Sequence, residues 1–197
     1  MTRNSQRSRT KPPNSLRPPL VVLGIDPGTL VTGYGIVARR NATVTLLECG
    51  AIKNNASLPL PARLHRIYAA LQVLIDKFQP DEMAIESAFY GKNAQSALKL
   101  GHARGVSILA AVEQNIPTAE YSPREVKKAV VGQGSATKEQ VQFMIKSILH
   151  VQDARMALDT SDAVAIALCH LQRLNRPAPR HRDWKAYLAT HPERIRR

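Results

Sequence analysis

Four acidic residues in this chain fall at positions where a carboxylate asks for an explanation. Asp159 and Asp162 are three apart at the start of an apolar helical pattern, so both project from one face within a single turn. Taken alone the pair has an ordinary explanation, because Asp caps helices and answers the dipole of their first turn. Asp26 closes the apolar run LVVLGID just before Pro27-Gly28, where it could equally be a turn residue bonded to its own backbone. Glu86 follows Met83-Ala84-Ile85 in the same manner. A carboxylate that caps a buried strand loses hydration and normally needs a cation or donors beside it. Open α/β sheets gather functional groups at the carboxyl ends of strands, so if the strands ending in Asp26 and Glu86 are parallel neighbours, the two acids meet at the sheet edge.

With the helical pair added, four carboxylates converge, and without a counter-charge they would repel and raise one another's pKa. Hard oxygen ligands without His or Cys point to Mg²⁺, with Mn²⁺ able to substitute. Two such ions per subunit, about 4 Å apart, would activate a water and stabilise the leaving oxygen of an in-line displacement at a phosphodiester, with no separate base. His65, His102, His150, His170, His181 and His191 show no HExxH or other ligand spacing and read as structural.

The elements that must position these acids follow from periodicity. After the strand ending at Asp26, GYGIVA and TVTLLECGAI read as two more strands, giving an antiparallel start. Leu60, Leu64, Ile67, Tyr68, Leu71, Leu74 and Ile75 recur at helical spacing up to Pro80. The strand ending at Glu86 is followed by a long helix from Lys92 to Glu113, on which Ala97, Gly101 and Gly105 form a small-residue face suited to close approach of another helix, within the chain or across a dimer. PTAEY is a short strand leading to Ser122-Pro123-Arg124-Glu125, where Ser122 is the N-cap, Pro123 the first helical residue and Glu125 completes a capping box. That helix ends near Gly132, the loop GQGS follows, and two more helices span Thr137 to His150 and Asp159 to His170. Antiparallel strands first and βα alternation later indicate a mixed five-stranded α/β sheet flanked by helices.

Composition bounds the partners. The 197 residues suit a single domain. Lys and Arg outnumber Asp and Glu by 28 to 15, a formal charge of +13. A polyanion gains entropy by releasing condensed counterions when such side chains replace them, so nucleic acid is the natural partner. Residues 1–19 hold five basic and no acidic residues, residues 173–197 hold eight and two, and residues 20–172 hold 15 and 13. The first and last segments therefore read as solvated basic tails adding non-specific affinity, and specific chemistry belongs to the middle segment. Pro12, Pro13, Pro18 and Pro19 break any helix in the first, which reads as a disordered extension and not a transit peptide. The single Trp184, in the basic C-terminal tail, has no role in this reading. Cys49 and Cys169 are far apart with no CxxC pair, which suggests neither a disulfide framework nor a thiolate zinc site. With no apolar run of the roughly 18 residues that span a bilayer and no secretory signal, a soluble cytoplasmic protein without a membrane partner is expected.

The segments LGIDPGTLVTGYGIV, IESAFYGKNAQSALKLGHARGVSILAAV, EYSPREVKKAVVGQGSATKEQV and DTSDAVAIALCH, in that order, resemble the RuvC-type Holliday junction resolvases of the ribonuclease H-like superfamily. The resemblance covers residues 20–172 and implies a ribonuclease H-like nuclease domain. By position it places the family's four metal-binding catalytic acids on Asp26, Glu86, Asp159 and Asp162, its base-engaging aromatic on Phe89, and its active-site-flanking lysines on Lys127 and Lys138. It implies a homodimer that binds a four-way DNA junction and nicks two opposed strands symmetrically, leaving 5′-phosphate and 3′-hydroxyl ends. A two-fold oligomer suits a two-fold substrate. A preference for a short thymine-containing sequence and cooperation with the RuvA and RuvB branch-migration proteins are implied as well. Phe89, Tyr90, Gly91 and Lys92 come directly after a strand end and read as a loop whose aromatic stacks on an unpaired base, with Tyr90 and Lys92 as further DNA-binding candidates. The sequence departs from the family in Ser87-Ala88, in Tyr90 and in its tails.

Two rival readings remain at this stage. GIDPGT followed by further glycines resembles the first phosphate hairpin of actin-like and sugar-kinase ATPases, although a second such lobe is missing. A non-catalytic DNA-binding module would use the acids only as caps.

Overall fold

The computed structural model describes residues 18–87, 94–151 and 158–175. Phe89, Tyr90, Lys92, Trp184 and nearly all of both basic tails lie outside the described residues. An antiparallel meander opens the fold: β1 (Leu20–Asp26), β2 (Val31–Arg40) and β3 (Thr43–Lys53). Helix α1 (Leu60–Phe78) then crosses to β4 (Glu82–Glu86), and α2 (Ala94–Glu113) crosses to β5 (Thr118–Tyr121). Both of these strands run parallel to β1, and the sheet order is β3-β2-β1-β4-β5. Helices α3 (Pro123–Val131), α4 (Lys138–Leu149) and α5 (Leu158–Leu174) complete the described elements. The expected five-stranded mixed sheet is the one observed, and α5 continues to Leu174, taking in the first two residues of the expected C-terminal tail.

The strands read as continuous apolar runs because both faces of the sheet are covered. In β1, Val22 turns to the side of α3, α4 and α5, while Leu23 and Ile25 turn to α1 and α2. Ala84 and its neighbours Met83 and Ile85 divide in the same way in β4. Helix α1 buries Ile67, Leu71, Leu74 and Ile75, the stripe its periodicity indicated. Local chemistry ends the helices where the sequence suggested. The Ser122 hydroxyl accepts from the Glu125 amide, the Glu125 carboxylate accepts from the Ser122 amide at 2.9 Å, and Gly132 closes α3 with a φ of 84°. A second capping box, Thr137 with Gln140, opens α4.

Helix α5 sits unusually deep, and two glycines explain why. A Cβ on Gly24 would strike the Ala163 carbonyl oxygen and lie 2.8 Å from the Ala167 amide nitrogen; one on Gly35 would lie 2.6 Å from a Val164 methyl. Bare backbone on β1 and β2 therefore receives the small-residue face of α5 directly. Arg39 of β2 donates to the Leu171 carbonyl at 2.7 Å, holding the far end of the helix.

Among the described residues, nothing in the chain packs on Gly101 and Gly105 of the small-residue face of α2. The buried residues described on α2 are Ala103, Ser107, Ala110 and Ala111, whereas a Cβ on Gly101 or Gly105 would meet nothing within 4 Å. Of the two roles open to this face, packing within the chain is not the one found among the described residues. Likewise among them, no helix is long and apolar enough to cross a membrane.

Candidate active site

Parallel pairing of β1 with β4 sets Ile25 opposite Ile85, so Asp26 and Glu86 follow as neighbours at the carboxyl edge of the sheet. The turn beyond Asp26 is pinned by Thr32, whose buried hydroxyl donates to the Gly28 carbonyl at 2.7 Å and accepts from the Gly28 amide at 3.3 Å. Beyond Glu86, the Ser87 amide donates to the Tyr121 carbonyl at 2.8 Å, so the strand end is held against β5. The seating of α5 on Gly24 and Gly35 brings its first turns to the same edge. Asp26, Glu86 and Asp162 thus line one cleft of about 270 Å³, together with Lys127 of α3, Lys138 of α4, and an apolar wall that includes Val126, Val141 and Ile166. Asp159 occupies the second position of α5, one turn before Asp162; its side chain lies outside the described residues.

The cleft is electrostatically strained. Burial lifts the Glu86 carboxyl, the charges of Asp26 and Asp162 and a hydrogen bond shared with Asp26 lift it further, and Lys138 pulls it back, leaving it at about 7. Asp162 accepts from Lys138 Nζ at 2.8 Å. Two acids thus share a proton and a third holds an ammonium. Among the described residues no three carboxyl, imidazole or thiol groups close tightly enough to enclose an ion by themselves. The donor set is nonetheless all oxygen, and its mutual repulsion is only partly relieved. That chemistry fits a hard divalent cation taken up with the help of water and phosphate oxygens.

Three of the four acids expected from the sequence, and both lysines, therefore share one cleft. Sequence reasoning missed the residues that hold them there: Thr32, Gly24 and Gly35, and the contacts of His170. The spacing G-I-D-P-G-T-x-x-T-G carried a signal for the first of these, since a hydroxyl five residues beyond a turn's start can close it.

The family model described as Crossover junction endodeoxyribonuclease RuvC matches residues 22–170 of this sequence. The chain belongs to the RuvC family. Among curated RuvC proteins, that of Chloroherpeton thalassium is 43% identical over 182 residues, covering 88% of this chain and 98% of the relative. That of Photorhabdus laumondii is 51% identical over 150 residues, covering 76% and 86%. The structure of Thermus thermophilus RuvC in complex with Holliday junction substrate matches with a TM-score of 0.74 and 35% identity, over 79% of this chain and 94% of that one. The yeast mitochondrial Holliday junction resolvase Ydc2 shares the fold, with a TM-score of 0.54 and 16% identity over 75% and 77%. RuvC membership favours nuclease chemistry over both rival readings, the two-lobed ATPase and the non-catalytic module.

Proposed function

We propose that this RuvC-family chain is a metal-dependent endonuclease that resolves four-way DNA junctions in recombination and repair, with Asp26, Glu86, Asp159 and Asp162 as its metal-binding catalytic acids. The observation that carries this reading is the shared cleft of Asp26, Glu86 and Asp162, in which burial first, and the like charges of Asp26 and Asp162 next, raise Glu86 to about 7, a strain that a bound cation would relieve. Two Mg²⁺ ions, with Mn²⁺ able to replace them, would supply the Lewis acidity that activates water and stabilises the leaving oxygen. The four carboxylates would supply the donor oxygens that hold the ions, and Glu86 would give up its proton to carry negative charge there. Attack on phosphorus breaks the bond to the 3′ oxygen, leaving a 5′-phosphate and a 3′-hydroxyl. Lys138 steadies Asp162 and, with Lys127, faces the phosphate backbone across the cleft. Phe89, Tyr90 and Lys92 extend the contact to unpaired bases at the junction centre.

A homodimer places two such clefts on a two-fold substrate. It is supported by the open face of α2, where exposed Leu98, Leu109 and Val112 continue the stripe of Gly101 and Gly105 at three- and four-residue steps. Family membership supports RuvA and RuvB as partners and the cytoplasm as the site of action. The test is a synthetic four-way junction and a linear duplex of the same sequence, incubated with the protein with and without Mg²⁺. Paired nicks in the junction alone, only with metal, are expected; metal-independent cutting, or equal cutting of the duplex, would refute the reading.

A further inference from the structure

His170 is 3% exposed on α5 and lies in a chain of polar groups, with buried Tyr121 and half-buried Glu82, that the cleft does not include. Its Nδ1 is 2.7 Å from the Tyr121 hydroxyl of β5, and its Nε2 is 2.8 Å from a Glu82 carboxylate oxygen of β4. An ionised carboxylate only accepts, so Nε2 carries a proton toward Glu82, and in the neutral ring Nδ1 accepts from the tyrosine. The two rings meet edge to face, with centroids 5.7 Å apart.

The position of this chain matters more than its existence. Glu82 and Glu86 are the two ends of β4. Four residues of strand advance about 13 Å. Asp162 and His170 are eight residues apart on α5. Eight residues of helix advance about 12 Å. Because α5 runs against the direction of β4, fixing His170 at Glu82 brings Asp162 opposite Glu86. Apolar contact is non-directional and resists a small slide of helix over strand only weakly, whereas a slide that breaks these bonds strands buried polar groups. Glycine contacts set how deeply α5 sits, and Arg39 holds only the Leu171 carbonyl.

We infer that His170, bonded to Glu82 and Tyr121, is a positioning residue for junction cutting: it sets the axial register of α5 so that Asp162 meets Glu86 across the metal-binding cleft. This rests on the nuclease reading above. The mechanism requires no proton transfer through His170, only its two directed bonds.

The experiment compares wild type with His170→Leu, His170→Gln and Tyr121→Phe in single-turnover junction cutting, junction affinity without metal, Mn²⁺ binding by calorimetry, and thermal stability. Leu removes both bonds, whereas Gln keeps one acceptor and one donor. A displacement of the order of 1 Å at a catalytic group can cost about a hundredfold, so His170→Leu is expected to slow cutting by about tenfold to a hundredfold. Its Mn²⁺ binding should weaken and its metal-free junction affinity should be unchanged, while His170→Gln recovers most of both losses. If His170→Leu does not fold, Tyr121→Phe decides, with a smaller loss in rate and Mn²⁺ binding expected. Cutting and Mn²⁺ binding at wild-type levels in the folded variants would overturn the inference, as would a loss of cutting matched by loss of metal-free junction binding. Failure of wild type itself to cut or to bind Mn²⁺ would instead refute the nuclease reading.

Discussion

At Glu86 the carboxyl's ordinary value of 4.5 becomes about 7 in the fold, through burial first and the charges of Asp26 and Asp162 next. Between those pH values the native state holds a proton that the unfolded chain has lost, so the contribution of Glu86 to stability is most favourable below about 4.5 and falls as pH rises to about 7. A shift of this size corresponds to a penalty on the order of 3 kcal/mol above that window. Glu86→Gln removes the penalty. In metal-free buffer the variant should resist urea better than wild type at pH 8, and the advantage should shrink toward pH 4; Mg²⁺ should narrow it by stabilising wild type alone. A difference independent of pH would contradict the account. Lys127 offers a separate test, since a side chain that neutralises one phosphate contributes about one unit to the slope of log affinity against log salt. Lys127→Ala should weaken junction binding and cutting and flatten that slope, measured by titration across a salt series; an unchanged slope would remove Lys127 from the interface.

The seating of α5 decides whether the acids meet, and it depends on two residues without side chains. Gly24→Ala would drive a methyl into the Ala163 carbonyl and the Ala167 amide, and both are backbone groups that cannot step aside. Overpacking of this kind costs about 1–3 kcal/mol, so a lower melting temperature is expected together with slower cutting, because α5 must lift or tilt. Normal cutting in a destabilised Gly24→Ala protein would show that the depth of α5 does not govern the cleft. These elements also mark how much the sequence could reveal. Strands ending in Asp26 and Glu86 were legible because each apolar run stops at an acid before turn chemistry, and the capping box of α3 because Ser122 and Glu125 interact within one turn. Glycines at 24 and 35 read only as strand residues, since their purpose is a helix more than a hundred positions later in the chain. His170 read as structural for the same reason: its partners Glu82 and Tyr121 belong to other strands, and no local spacing announces them.

For the molecule as a whole, the proposed symmetric cutting of two strands calls for two clefts, and the proposed homodimer would supply them through the open face of α2. Gly105→Glu puts a charge where open space now lies. Glutamate is the better helix former by about 0.5–1 kcal/mol, so the substitution should leave α2 intact. The variant should sediment as a monomer and lose paired nicking; a dimer that still cuts both strands would place the seam elsewhere. We propose that the basic tails add affinity without choosing the bond, because charge of this kind acts on any phosphate backbone. Everything else depends on the carboxylates acting as metal ligands at the scissile phosphate, and Asp26→Asn addresses that with the smallest change in shape. Junction binding and single-turnover cutting should be measured on the same Asp26→Asn preparation in Mg²⁺: the account predicts wild-type affinity with cutting reduced at least about a hundredfold, whereas cutting at the wild-type rate would contradict it.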